Sequence, residues 1–202
     1  MRKVISTIAI IIFLCNQATA QSKGVTPLHT FFQKNADSTI IIEYATETYD
    51  PHSYNIITKT GDTVNAFKYN AVQKYTKTTI PKKLSIMISL EKFKYWDVAA
   101  DINQYFNLVD LDQDTLKTFW HTAQKLDIWN KVDDKHYKLC PDHVKFAITA
   151  HSGGIIIHLV TKDNIKTLFY EHPWYFEEQC PGNINRIAAI KLYEVFKTYL
   201  KN

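Results

Sequence analysis

Arginine is almost missing from this chain. Beyond Arg2 there is one, Arg186. The planar guanidinium fork is the usual reader of phosphates and base edges. Its scarcity argues against a dedicated nucleic-acid binder. Glycine is also scarce, at 5 in 202 residues, while aromatics make up 13%. That composition fits neither a linker nor a disordered tail. The patterns Gly-x-Ser-x-Gly, His-Glu-x-x-His, Gly-x-x-x-x-Gly-Lys and Gly-x-Gly-x-x-Gly do not occur. No motif therefore assigns a nucleophile, a zinc site or a phosphate cradle. A second long apolar run is lacking as well, so no membrane span is expected after the first twenty residues.

Those first twenty residues carry the clearest signal. Arg2 and Lys3 precede an apolar run from Val4 to Leu14, and Ala18-Thr19-Ala20 then gives a small-x-small cleavage pattern. This reads as a cleaved signal peptide over 1–20, with a single domain over 21–202. It predicts a periplasmic or secreted protein, and leader and composition together suit a bacterial source. Lipid anchoring at Cys15 is not expected. Leu14 is too large for the residue before a lipidated cysteine, and Cys15 lies inside the apolar stretch. Losing Arg2 and Lys3 with the leader lowers the formal net charge from +4 to +2. The mature surface is nearly balanced in charge.

Cys140 and Cys180 remain after cleavage. An isolated pair in an exported chain is expected to form one disulfide. Each precedes a proline, which suits a turn.

Hydrophobic periodicity then orders the chain. Residues 21–37 read as a lead-in. Ser38 to Thr46 reads as a strand with Ile40, Ile42 and Tyr44 on one face. Gly61-Asp62 marks a two-residue hairpin turn, which sets Ile56 against Phe67 and Tyr54 against Tyr69. Leu84 to Leu90 reads as another strand, and 91–109 is ambiguous. Leu116, Phe119, Trp120, Ala123 and Leu126 form a helical stripe, predicting a helix over 111–130. Val144 to His151, Ile155 to Val160 and Ile165 to Glu171 read as a three-strand meander, with turns at Gly153-Gly154 and Asp163-Asn164. Its apolar face needs a cover, and a final amphipathic helix over 183–200 supplies one. The expected fold is α+β. An antiparallel sheet, hairpin-rich in the N-terminal half and a meander in the C-terminal half, is covered by two amphipathic helices.

Four groups are candidates for chemistry or binding. The other face of the meander carries Lys145, Thr149, His151, His158, Thr167 and Glu171. On the predicted register His158 lies diagonal to both His151 and Glu171, a set that could share acid–base work or hold a transition metal. The competing reading is a solvated sheet face. Trp174, Tyr175 and Phe176, beside Glu171, Glu177 and Glu178, could form a sugar-stacking surface or a partner anchor. Their alternative role is a clasp between the sheet and Cys180. Glu43 and Glu47 could share a strand face as a carboxylate pair, but about 13 Å of backbone between them is a loose spacing, and two glutamates on a solvated face are ordinary. Lys74, Lys77, Lys82 and Lys83 around Tyr75 make a basic stretch that could attract an acidic partner, an anionic glycan or a lipid headgroup, though as a rule such a run is a solvated loop or a guarded edge.

The leading expectation is a non-enzymatic exported module that binds a protein or a glycan, with no cofactor. The alternatives are a small extracytoplasmic hydrolase, metal-assisted through His151, His158 and Glu171, and an immunity or inhibitor protein for an exported toxin.

Overall fold

The computed structural model describes residues 24–45, 52–71, 81–93, 98–136, 140 and 153–200. The expected leader, the predicted strand at 144–151 with His151, and Glu47, Lys74, Tyr75 and Lys77 all lie outside these residues. Six strands form one antiparallel sheet: β1 (Ser38–Ala45), β2 (Ser53–Thr60), β3 (Thr63–Asn70), β4 (Phe106–Val109), β5 (Gly154–Thr161) and β6 (Ile165–Glu171). Their spatial order is β4-β3-β2-β1-β5-β6. The helices are α1 (Pro27–Asn35), α2 (Lys82–Phe93), α3 (Gln113–Lys125), α4 (Pro173–Gln179) and α5 (Ile184–Tyr199). The α+β expectation holds.

The β2–β3 hairpin forms as its turn chemistry dictates. Gly61 adopts a positive φ of 55°, and Thr60 faces Thr63, Ile56 faces Phe67 and Tyr54 faces Tyr69. Only glycine reaches that backbone region without a Cβ penalty. α3 starts where Asp112 caps it, accepting from the Thr115 N–H at 2.9 Å. One sheet face then packs beneath α3 and α5. Ile40, Ile42, Ile57, Ile155, Ile157, Leu159 and Leu168 meet Phe119, Trp120, Leu192 and Phe196 there. The apolar face expected for β5 and β6 is this one, and α5 covers it as expected. Each such fully buried side chain contributes about 1.5–3 kcal/mol.

Four expectations are corrected. First, the lead-in contains α1, begun by Thr26 with Pro27 in its first turn. Leu28 and Phe32 on α1 pack with Ile41, Tyr54, Ile56 and Val160 on the second sheet face. That face is not solvated, and the sheet is covered on both sides. The run Ile40-Ile41-Ile42, buried throughout, is what a two-sided central strand requires. Second, β5 lies between β1 and β6, so both its edges are occupied. β5 thus takes β1, distant in sequence, as its second partner.

Third, the β5–β6 register differs from the predicted one by two residues. Ile156 faces Phe169 and Glu171 faces Gly154, because the turn centres on Lys162-Asp163. The Thr161 N–H donates to the Asn164 carbonyl at 2.8 Å to close it. A two-residue shift preserves the faces but moves every cross-strand partner. Fourth, Leu84 to Leu90 belongs to α2. Its alternation also satisfies a helix, and Lys, Leu, Met and Glu are good helix formers. Leu84, Ile86, Met87 and Leu90 are about half exposed on it.

Candidate functional site

The second sheet face gathers the histidines. Strand β5 presents His158, the segment before β2 presents His52, and α1 presents His29. His29 stands where a capping box normally carries Glu or Gln. Its Nδ1 accepts the Thr26 N–H at 3.1 Å, with the Thr26 hydroxyl at 2.9 Å. The His29 and His158 rings pack edge to face at 4.2 Å between centroids, and Tyr54 lies 5.4 Å from His29. His158 sits opposite Thr167 and its Nδ1 hydrogen-bonds the Thr167 hydroxyl at 3.0 Å. His29 and His158 are fully buried. Gly24 lies over His158, where an added Cβ would be 3.4 Å from Cε1.

Burial sets the charge state of this pair. Desolvation, then the neighbouring His52, lowers His29 to about 4. Desolvation, then His29 and His52, lowers His158 to about 3. Both are neutral at pH 7. The closed hydrogen-bond geometry agrees for His29. A nitrogen that accepts an amide N–H has no proton, so the ring proton of His29 is on Nε2. Neither His29 Nε2 nor His158 Nε2 hydrogen-bonds a described residue. His52 differs. Its Nδ1 lies 3.2 Å from Glu43 Oε1 and 3.0 Å from the Tyr54 hydroxyl. The Glu43 hydrogen bond raises the His52 pKa against its partial burial. Desolvation pushes the Tyr54 phenol up, so it keeps its proton.

Of the expected His151–His158–Glu171 set, His151 lies outside the described residues, and His158 and Glu171 stand apart. Glu171 faces Gly154, four residues along β5 from His158. That is a backbone separation of about 13 Å. The Glu171 carboxylate instead lies 3.6 Å from His172 Nε2. Among the described residues, no three His, Cys, Asp or Glu side chains are placed to hold a metal ion. His29 could not join one as it stands, because its Nε2 lone pair is used by the proton.

The 174–176 run divides between core and surface. α4 begins at Pro173, and its helical spacing sends Phe176 inward and Trp174 outward. Phe176 is fully buried, whereas Trp174 is 36% exposed. Tyr175 packs edge to face on Phe176, with centroids 5.6 Å apart. Trp174 joins Tyr44, 42% exposed at the end of β1, and half-buried Tyr193 of α5. Their centroids are 6.0, 5.2 and 5.7 Å apart, so all three rings touch, and their planes are inclined by 45–78°. The chain at Gly153 lies against Tyr44. A Cβ there would clash with the Ala45 carbonyl and the Tyr44 ring. Lys197 Nζ lies 5.9 Å from the Tyr193 ring centroid. Burial, then Tyr44 and Glu194, raises the Tyr193 pKa, which keeps its hydroxyl a donor.

No family model, curated protein or solved structure matches the chain. The geometry therefore stands on its own residues.

Tyr44 and Tyr193 were not legible as site residues, because nothing in sequence links positions 44, 174 and 193. Arg186 was visible as an oddity, and the structure explains it. Buried on α5, it donates to Glu177 Oε2 at 3.1 Å and to the Cys180 carbonyl at 2.8 Å. This fork ties α4 to α5. Cys140 and Cys180 form the expected disulfide, with Cα atoms 5.6 Å apart, beside that junction. The exposed rings therefore stand on a braced base.

Proposed function

We propose that this protein is a non-enzymatic, exported binding module whose ligand docks on Tyr44, Trp174 and Tyr193. One observation carries the reading. Three rings from separate elements surface together and are held in fixed positions, while His29 and His158 are buried and neutral. Tyr and Trp supply large contact area with little side-chain entropy to lose, which is why they dominate binding hot spots. The Cys140–Cys180 disulfide supports an oxidising location. Among the described residues, no helix is long and apolar enough to cross a membrane.

The test uses the oxidised mature chain with a photo-cross-linking residue at position 174. It is exposed to cell-envelope and culture-medium fractions, and the Trp174 indole N–H is followed by NMR on the unmodified protein. A saturable adduct or indole shift, lost in Tyr44→Ala, is expected. Silence in every fraction by both readouts would sink the reading.

A further inference from the structure

The patch is small, and its size bears on its ligand. A buried aromatic side chain covers about 150–250 Å². With Trp174 36% and Tyr44 42% exposed and Tyr193 half buried, the rings offer on the order of 200 Å². A stable protein partner needs about 800 Å² from each side. One or two sugar rings need far less. The chemistry agrees with the area. A pyranose has a C–H face that stacks on an aromatic ring and a belt of hydroxyls that needs donors and acceptors. Here the apolar ring faces adjoin two phenol hydroxyls and an indole N–H.

Geometry and charge limit the alternatives. The three planes are mutually inclined by 45–78°, so the rings point in different directions rather than forming a parallel-walled slot. A cage for a quaternary ammonium would need the rings held apart around a hollow. These rings touch one another, and the Lys197 ammonium already lies 5.9 Å from Tyr193. Lys197 and Glu194 put one charge of each sign near Tyr193, so the patch carries no net charge of its own to draw in a cation.

We infer that Tyr44, Trp174 and Tyr193 form a binding site for a pyranose glycan, stacked first on Trp174, with Lys197 at its rim. This rests on the binding-module reading and names its ligand class. It is tested by titrating the oxidised mature protein with soluble probes. These are the trimers of N-acetylglucosamine, glucose in β-1,4 linkage and glucose in α-1,4 linkage, and a uronic-acid trimer. Isothermal titration calorimetry reads the affinity of every protein, and the Trp174 N–H resonance locates the site in the unsubstituted one. At least one probe should saturate. Trp174→Ala should weaken it about tenfold or more, and Trp174→Phe should restore part of the affinity. Near-UV circular dichroism of each variant checks that the fold is kept.

Saturation by tetramethylammonium and not by any sugar would overturn the glycan assignment. A protein adduct at position 174 with every sugar silent would overturn it too, but leave the binding module standing. Silence in both experiments would overturn both.

Discussion

Acid should destabilise this protein through two buried imidazoles. In the unfolded chain His29 and His158 titrate near ~6.5. In the fold they are held down to about 4 and about 3, first by desolvation. A depressed histidine pKa means that the unfolded state binds the extra proton first. The pair's full contribution is therefore present above ~6.5, and it declines as pH falls toward the folded values. At pH 5 each histidine lies about 1.5 units below its unfolded pKa while staying neutral in the fold. That is about 2 kcal/mol each, or about 4 kcal/mol for the pair. Domains of this kind have only about 5–15 kcal/mol in total, so the loss is large.

His52 acts in the opposite sense. Its pKa is raised, chiefly by the Glu43 hydrogen bond, so its stabilisation is present below ~6.5 and lost as pH rises. It offsets part of the acid loss. The assay is urea unfolding at pH 7.5 and pH 5.0 of the wild type and of His158→Gln. The wild type should lose a few kcal/mol on acidification, and the variant about 2 kcal/mol less. An unchanged wild-type midpoint, or equal acid losses in both proteins, would refute the reasoning. So would ring-proton NMR titrations of His29 and His158 near their unfolded pKa.

The Cys140–Cys180 bridge spans a sequence separation of 40. Chain-entropy reasoning assigns it about 4 kcal/mol, so the double Cys→Ser variant should unfold at clearly lower urea, and reductant should no longer shift its midpoint. Arg186→Met removes the ion pair of the partly buried Glu177, leaving it only the Gly182 N–H, and frees the Cys180 carbonyl. A loss of about 3 kcal/mol is expected, and a change below 1 kcal/mol would show that the clamp is unimportant. Phe176→Ala should cost about 3–5 kcal/mol as a core cavity, whereas Trp174→Ala should cost less than about 1.5 kcal/mol because its ring is part-exposed. Comparable losses in the two variants would contradict the division of that run between core and surface.

Local signals were readable wherever they are set by local chemistry. Gly61-Asp62 fixed a hairpin and its register. The stripe from Leu116 to Ala123 gave α3, and the stripe of α5 identified both the helix and the apolar face beneath it. Thr26-Pro27, followed by Leu28, Phe31 and Phe32, carried the signal for α1, but a nine-residue helix is easily read as lead-in. Leu84 to Leu90 satisfied both periods, so the alternation did not decide its type. The polar side of β5 was misread because alternation alone does not distinguish a solvated face from one that a helix covers.

By itself the sequence determined the secondary elements with strong periodicity, the hairpin turn, the cysteine pair and the α+β class. Each depends on neighbours within a few residues, except the cysteine pair, which followed from expecting Cys15 to leave with residues 1–20. Tertiary structure alone decided that β1 separates β2 from β5, that α1 closes the second face over His158, and that Tyr44, Trp174 and Tyr193 meet. Those facts rest on which edges and faces find partners across more than a hundred residues of chain. No local period encodes that choice. It is made by burying both faces of an isoleucine-rich central strand at once.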